Sequence, residues 1–292
     1  MYNKGLVAHK ELNVSLYYSD VDWHIALSKG VRCFLKELKG AYHDYLIELS
    51  RERGDHIKLT FFVHSNSAFS FSQEIDAWFK QFLKKHPSRY SEKHDERIKI
   101  FADFDNDSVH YGTFNIRPYP SISCFVFRCG ISRLILKLFQ HYKEDTLNSL
   151  FEIVIQLIII FCNTVYYNID DIYHLINTLL QEEYDQLNDL ESVNKVISEG
   201  DTNFENNKSE LISLVENHLR PGNLKYNDQL ESFWCNLVAE CDKSLKDENV
   251  SDLIFTHSLM LNELFDSLGF KYKITVLLLL KKSIKKSNLY KL

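Results

Sequence analysis

The sequence predicts an α+β fold, in which a small antiparallel sheet is followed by a largely helical half. Four strand-like segments lie in the first part of the chain, two helical segments separate them, and the period becomes helical from Ser121 onward. The first part therefore runs strand–helix–strand–strand–helix–strand. This order is typical of the split βαβ, or ferredoxin-like, arrangement, which we expect near residues 10–105.

Each predicted element of the sheet has a local signal. The strands are expected at 12–18, 42–50, 56–63 and 97–104. One helix is expected at 22–38, where Gly40 follows it, and another at 72–86, where Pro87 follows it. Residues 105–120 contain two Pro and one Gly, and we predict a long loop that is either functional or a simple connector.

The second half of the chain has helical periodicity throughout. Helical segments are expected near 121–142, 147–167, 171–190, 209–219, 228–246, 252–267 and 272–287. The polar stretch 191–208 is predicted to be a loop. We therefore expect residues 1–120 to form the sheet with its terminal loop. Residues 121–292 are expected to form one compact helical unit that covers the polar face of the sheet.

The composition is that of an ordered globular chain, with 292 residues, 45% hydrophobic content, 4 Pro and 9 Gly. The net charge of −6 does not favour a nucleic-acid partner. Six cysteines without a CxxC pair are typical of reduced thiols, so we predict a cytoplasmic protein. The most apolar run, 150–167, is interrupted by Glu152, Gln156 and Asn163, which predicts a core helix and no membrane partner.

Polar side chains converge on the middle of the predicted sheet. In the split βαβ arrangement the first and third strands form the central pair, and right-handed crossovers place both helices on one face. The residues expected on the other face are Asn13, Ser15, Tyr17, His56, Lys58 and Thr60. Two interpretations follow, a half-buried strand pair with solvated polar residues and a functional site.

A second candidate is His257, which lies in the middle of the apolar stripe of a late helix. A buried imidazole needs a hydrogen-bond partner, because leaving it without one costs a few kcal/mol. The partner is either a backbone carbonyl, which would make His257 a core residue, or a group of an active site. The sequence leaves both interpretations open.

Two short motifs resemble a known family. The first is Gly54–Phe61, Gly-Asp-His-Ile-Lys-Leu-Thr-Phe, and the second is His257–Asn262, His-Ser-Leu-Met-Leu-Asn. In this order they resemble the C-terminal elimination domain of lantibiotic dehydratases and the related thiopeptide-type bacteriocin biosynthesis proteins. The likeness of layout covers most of the chain, while the likeness of residues is confined to these motifs.

The departures from the family point to one of its branches. The eliminating enzymes carry two arginines in the strand motif, which hold a glutamylated Ser or Thr, and here those positions correspond to Lys58 and Thr60. The eliminating enzymes also carry an Asn-Arg pair in their late helix, and here the corresponding residues are Asn262-Glu263. The branch that needs no such arginines is the thiopeptide pyridine synthases. These enzymes join two dehydroalanines of a modified peptide in a formal 4+2 cycloaddition, with loss of water and the leader peptide, to form a pyridine-centred macrocycle.

This resemblance implies roles for particular residues. The reaction needs a donor that polarises an amide and an acid–base group for the eliminations, and imidazole titrates near neutrality. His257 is therefore the expected acid–base group. The catalytic candidates are His257, Ser258, Lys58 and Tyr17. The substrate-binding candidates are His56, Thr60, Tyr111, Arg117 and Asn262.

The resemblance also implies partners. We expect a modified precursor peptide with its leader, other biosynthetic enzymes of the same pathway, and neither a metal nor a redox cofactor. An alternative is a stand-alone elimination subunit of a split lantibiotic-type dehydratase. A third interpretation, of a different class, is a non-catalytic peptide-binding member.

Overall fold

The computed structural model describes residues 9–89, 103–166, 168–187, 190–220, 226, 228–248 and 250–287. They fall into two compact units. The sheet unit contains the described residues up to Asn148 together with Asp266–Gly269, and the helical unit contains the rest. These units differ from the two halves expected from the sequence, because the first helix after residue 120 lies with the sheet.

Among the described residues the sheet has four strands, β1 (His9–Tyr17), β2 (Asp44–Ser50), β3 (His56–His64) and β4 (Ser108–Tyr111). Their order is β2-β3-β1-β4, and every neighbouring pair is antiparallel. This is the strand order of the ferredoxin-like arrangement. The predicted fold class is therefore confirmed, and β1 and β3 are the central pair.

The fourth strand lies later in the chain than predicted. Most of the expected strand 97–104 lies outside the described residues, and 103–105 carry no strand. β4 comes instead from the stretch 105–120, so the loop prediction was wrong for four residues within it. Ser108 and Val109 pair with Tyr17 and Leu16 of β1. This pairing stabilises a strand whose four residues are too few for the alternation to be recognised in a stretch that also contains two prolines.

Helices α1 and α2 cover one face of the sheet. Helix α1 has three sections, Trp23–Ile25, the π-helical Ala26–Val31 and Arg32–Glu37, while α2 is Ala68–Lys85. The ring of Phe61 lies 5.4 Å from those of Phe34 and Phe71, in edge-to-face geometry. Such contacts stabilise an aromatic core beyond the area that they bury.

Helix α3 (Ile122–His141) packs on β2 at the other side of the sheet. The hydroxyl of Ser132 accepts a hydrogen bond from the Ile47 amide at 2.8 Å, which satisfies a backbone group of an edge strand. Arg128 donates to Glu48 at 2.8 Å. A small apolar cluster of Leu46, Phe62 and Cys129 completes this contact.

Gly269 provides a stringent test of packing in the sheet unit. Its φ is +57°, and a Cβ added there would lie 2.6 Å from the carbonyl oxygen of Leu49. We expect Gly269→Ala to lower the free energy of unfolding by about 2–4 kcal/mol, from backbone strain and overlap together. The matched control is Gly112→Ala, with φ +64° and open space around it, which should cost about 1–2 kcal/mol. Equal losses in urea denaturation would contradict this account.

The part of the helical unit that the structure describes contains six helices. They are α4 (Leu150–Val165), α5 (Ile169–Gln186), α6 (Leu190–His218), α7 (Gln229–Asp247), α8 (Leu253–Ser267, whose last two residues belong to the sheet unit) and α9 (Lys273–Lys286). Helix α4 is the predicted core helix, and Trp234 of α7 donates to its Leu157 carbonyl at 2.8 Å. No helix among the described residues is both long and apolar enough to cross a membrane.

The loop prediction for 191–208 was wrong, because α6 covers that stretch. Its polar composition conceals buried side chains such as Phe204, which is 2% exposed. The backbone leaves helical geometry only at Asn207, with φ −120°. Tertiary burial has therefore overridden a weak local signal.

Candidate functional site

The six polar positions predicted for the sheet face are direct cross-strand partners. Asn13 pairs with Thr60, Ser15 with Lys58 and Tyr17 with His56. We call these six residues the sheet cluster. Their side chains share one face, since alternate residues of a strand point the same way.

The sheet cluster is more buried than an open face would be, because the segment after β4 covers it. The hydroxyls of Ser15 and Thr113 lie 2.6 Å apart, and the Asn13 amide donates to the Phe114 carbonyl at 3.3 Å. Thr60 donates to the Asn13 side-chain oxygen at 2.9 Å. These polar groups are therefore already engaged with one another.

Tyr17 and His56 form a stacked pair, with ring centroids 4.6 Å apart. The His56 Nδ1–H donates to the Gly54 carbonyl at 2.9 Å, and burial holds the pKa of this imidazole below its usual value. His56 is thus held as a neutral ring with Nε2 as an acceptor. Burial also raises the pKa of the Tyr17 phenol, which stays protonated and able to donate.

Lys58 is the cation of the sheet cluster. Its side chain is 17% exposed, and Nζ lies 3.1 Å from the Glu52 carboxylate, which is itself 80% exposed. The ammonium also lies 5.7 Å from the centre of the Phe114 ring. An ion pair with so exposed a partner is weak, so Glu52 holds the Lys58 ammonium only loosely.

Two other candidates lie away from the six paired positions. Tyr111 ends β4 and is 43% exposed, and its hydroxyl lies 3.5 Å from the Ser72 carbonyl, which is a weak contact. Arg117 donates to Asp266 at 2.6 Å. Both side chains are accessible.

His257 lies in a separate group, which we call the α8 cluster and define as Tyr166, Asp242, Lys246 and His257. The imidazole is 1% exposed. Its Nδ1 lies 2.9 Å from the Tyr166 hydroxyl, and its Nε2 lies 3.1 Å from an Asp242 oxygen. Lys246, one turn along α7, donates to the other oxygen of Asp242 at 2.6 Å. The partners of His257 are therefore side chains, not a backbone carbonyl.

The protonation of the α8 cluster follows from its geometry. Burial alone would raise the pKa of Asp242, but hydrogen bonds from His257 and Lys246 hold it below its usual value. The carboxylate therefore accepts from His257 Nε2–H. Burial raises the pKa of Tyr166, so its hydroxyl stays protonated and lies 2.9 Å from His257 Nδ1.

Ser258 and Asn262, one turn apart on α8, both bind Glu182 of α5. Ser258 Oγ lies 2.9 Å from one carboxylate oxygen, and Asn262 Nδ2 donates to the other at 2.8 Å. Ser258 also lies within 2.8 Å of the Phe255 carbonyl, so its single proton is shared between two acceptors. These two candidates therefore hold a carboxylate of their own unit.

The depressed pKa of Asp242 predicts an acid-labile contribution to stability. It is present above the unfolded pKa of about 3.9 and is lost as the pH falls through the lower folded pKa. At pH 7 we expect Asp242→Asn to lower the free energy of unfolding by about 1–3 kcal/mol. Below pH 4 this difference should shrink. The exposed Asp247→Asn is the control; a difference that stays constant with pH would contradict the assignment.

The sheet unit also contains a charged cavity of about 530 Å³, lined by residues that include Asp20, Arg51 and Arg89. Arg51 donates to Asp20 at 3.1 Å, and Arg89 donates to the buried Asp22 at 2.6 Å. Both arginines are therefore engaged in ion pairs. This cavity could not be expected from the sequence, because its lining residues are dispersed along the chain.

Sequence reasoning missed the partners that define both clusters. His110 of β4 lies edge-on to Tyr17 at 5.4 Å, and its Nε2 is 3.0 Å from the Ser108 hydroxyl. In the sequence, the feature that could have indicated His110 is the short period-2 alternation of β4. Asp242 had a signal in the i,i+4 pair that it makes with Lys246, while Tyr166 had none.

Three solved structures are similar to this chain over nearly all of its length. The pyridine synthase TbtD from thiomuracin biosynthesis has a TM-score of 0.69 and 11% identity, over 94% of this chain and 97% of that chain. TsrL has a TM-score of 0.65 and 12% identity, over 97% and 96%. The tRNA-dependent lantibiotic dehydratase MibB from Microbispora sp. 107891 has a TM-score of 0.63 and 10% identity, over 98% of this chain but only 29% of that chain.

No protein-family model and no curated protein matches the sequence. At these identities the structural likeness shows the fold alone. The resemblance predicted from the two motifs is confirmed at that level, since a thiopeptide pyridine synthase and a lantibiotic dehydratase both share the fold.

Proposed function

We propose that this protein is a maturation enzyme for thiopeptide-type modified peptides. Its reaction would be a formal 4+2 cycloaddition of two dehydroalanines, followed by loss of water and the leader peptide to form a pyridine-centred macrocycle. The observation that carries the proposal is the end-to-end correspondence with TbtD, which spans nearly all of both chains. MibB, in contrast, is matched over less than a third of its length.

The sheet cluster supports cyclisation over elimination. An enzyme that expels glutamate must hold a carboxylate on the substrate, for which arginine is best suited. The two corresponding positions here are Lys58, paired with Glu52, and Thr60, hydrogen-bonded to Asn13. One cation that is only loosely paired suits a neutral amide carbonyl better than a glutamyl group.

The α8 cluster supports acid–base chemistry through a relay. Asp242 stabilises His257 when the ring is protonated, and the Nδ1 proton can then pass to the Tyr166 hydroxyl as Tyr166 gives its own proton to the leaving hydroxyl of the adduct. The same pair then accepts the proton that the adduct loses. The step thus releases one water and restores the enzyme.

The proposal includes a long peptide substrate whose leader provides much of the affinity. An extended leader would add to an edge of the sheet through main-chain hydrogen bonds. We expect the leader alone to bind saturably in a fluorescence titration, and a shuffled leader of the same composition to bind at least tenfold more weakly. Full activity on a leaderless core, without measurable leader binding, would contradict this part of the proposal.

The test of function compares two substrates. One is a leader-bearing peptide with two dehydroalanines, and the other is the same peptide with a glutamylated Ser. A cyclase converts the first and leaves the second unchanged. An elimination subunit does the reverse, and a non-catalytic binding protein changes neither while still binding the leader.

A further inference from the structure

A group of three imidazoles lies at the end of the sheet. His9 begins β1, His64 ends β3, and His43 immediately precedes β2. One ring nitrogen of each lies within 4.8 Å of the others. We call this group the histidine cluster. It shares no residue with the sheet cluster or the α8 cluster, although His9 and His64 lie on the same two strands as the sheet cluster.

The backbone holds these three residues together. His9 and His64 are direct cross-strand partners in the antiparallel β1–β3 pair. The His43 amide donates to the Phe62 carbonyl at 2.8 Å, which fixes it beside the last residues of β3. Two strands and the residue just before a third thus bring one imidazole each to one place, so little chain entropy has to be lost when a ligand binds there.

The rings face one another closely. The centroid of His43 lies 3.9 Å from that of His9 and 4.2 Å from that of His64. A neutral imidazole is the form that binds a metal, whereas two protonated rings at this distance would repel each other.

One nitrogen of the cluster has no other role among the described residues. His9 Nδ1 is buried there without a hydrogen-bond partner. A buried nitrogen without a partner costs free energy, and coordination to a cation would remove that cost. His43 and His64 are exposed, so an ion can reach the cluster from solvent.

We propose that His9, His43 and His64 form a binding site for a divalent transition-metal ion of the zinc class. Three imidazoles are a recurrent zinc ligand set, with Zn–N distances of about 2.0–2.1 Å and a fourth position left to water. Small rotations of the exposed rings would bring the nitrogens within range. The bound ion would tie the start of β1 to the end of β3 and the beginning of β2.

The test is zinc binding by the full chain after removal of metals with a chelator. Equilibrium dialysis against Zn²⁺ should give one ion per chain, and Co²⁺ should give the visible absorption of a tetrahedral site. Each of His9→Gln, His43→Gln and His64→Gln should weaken zinc binding by at least about tenfold. His141→Gln, an exposed histidine outside the cluster, should bind like the original protein.

Stability gives a second readout. A ligand that binds only the folded state raises its stability, by about 2.7 kcal/mol at a concentration 100 times Kd. Zinc should therefore raise Tm in the original protein and in His141→Gln but not in the cluster variants, while Mg²⁺, which prefers oxygen ligands, should leave Tm unchanged. Absence of stoichiometric zinc binding, or undiminished binding by the double variant His43→Gln/His64→Gln, would overturn the proposal.

Discussion

His257→Ala is expected to lower turnover on a leader-bearing bis-dehydroalanine peptide by roughly 10²–10⁴-fold, the usual scale for a lost acid–base group. The reason is that His257 alone connects the Asp242 carboxylate to the Tyr166 hydroxyl. The substitution also leaves both partners short of a hydrogen bond in a buried place, at a cost of about 1–3 kcal/mol. Turnover must therefore be expressed per folded enzyme, with Tm and circular dichroism measured on the same sample.

Lys58→Ala is the comparison for this prediction. Lys58 is paired with an exposed carboxylate, and water can replace part of its action on a substrate carbonyl. Its turnover should fall by less than that of His257→Ala, with little change in stability. If the loss in His257→Ala only matches its loss of folded protein, His257 is a core residue and the relay is excluded.

Tyr166→Phe is expected to lower turnover by roughly 10²-fold or more while costing only about 1 kcal/mol of stability. This change keeps the buried ring but removes the hydroxyl that lies 2.9 Å from His257 Nδ1 and that passes the proton in the proposed relay. The His257–Asp242 hydrogen bond remains. The variant therefore separates proton transfer from the packing of the α8 cluster.

The matched control is Tyr226→Phe. Tyr226 lies in the same unit, and its hydroxyl accepts a hydrogen bond from Asn163 at 3.2 Å. Its loss should cost a similar free energy of unfolding and leave turnover unchanged. Equal turnover in the two variants would show that the Tyr166 hydroxyl has no part in proton transfer.

Much of the sheet could be predicted because period-2 alternation and strand order are local signals. They gave the β1–β3 pairing and the shared face of Tyr17, His56 and Lys58. β4 was missed because a four-residue alternation is hidden among turn-forming residues, and its start at Ser108 is defined only by pairing with Tyr17. In such short strands the partner supplies the stability that the segment lacks.

The surroundings of His257 could be predicted only in part. Its place in an apolar stripe indicated burial and the need for a partner. Tyr166, however, is 91 residues away in sequence. The packing of α4 against α7, and the contact of the Phe161 ring of α4 with His257, determine which side chain meets the imidazole. The histidine cluster could not be predicted for the same reason. His9, His43 and His64 lack the sequence spacing of a metal site, and only the pairing of the strands brings them together.

The central claim is that two dehydroalanines are joined into a pyridine, and a single mass-spectrometric measurement tests it most directly. Purified enzyme is incubated with the leader-bearing bis-dehydroalanine peptide, and substrate, macrocycle and free leader are followed with time. We predict that macrocycle and leader appear in equal amounts and that their summed mass is lower than that of the substrate by one water. A substrate that stays intact while bound to folded enzyme, or a leader released by hydrolysis without loss of water, would contradict the account.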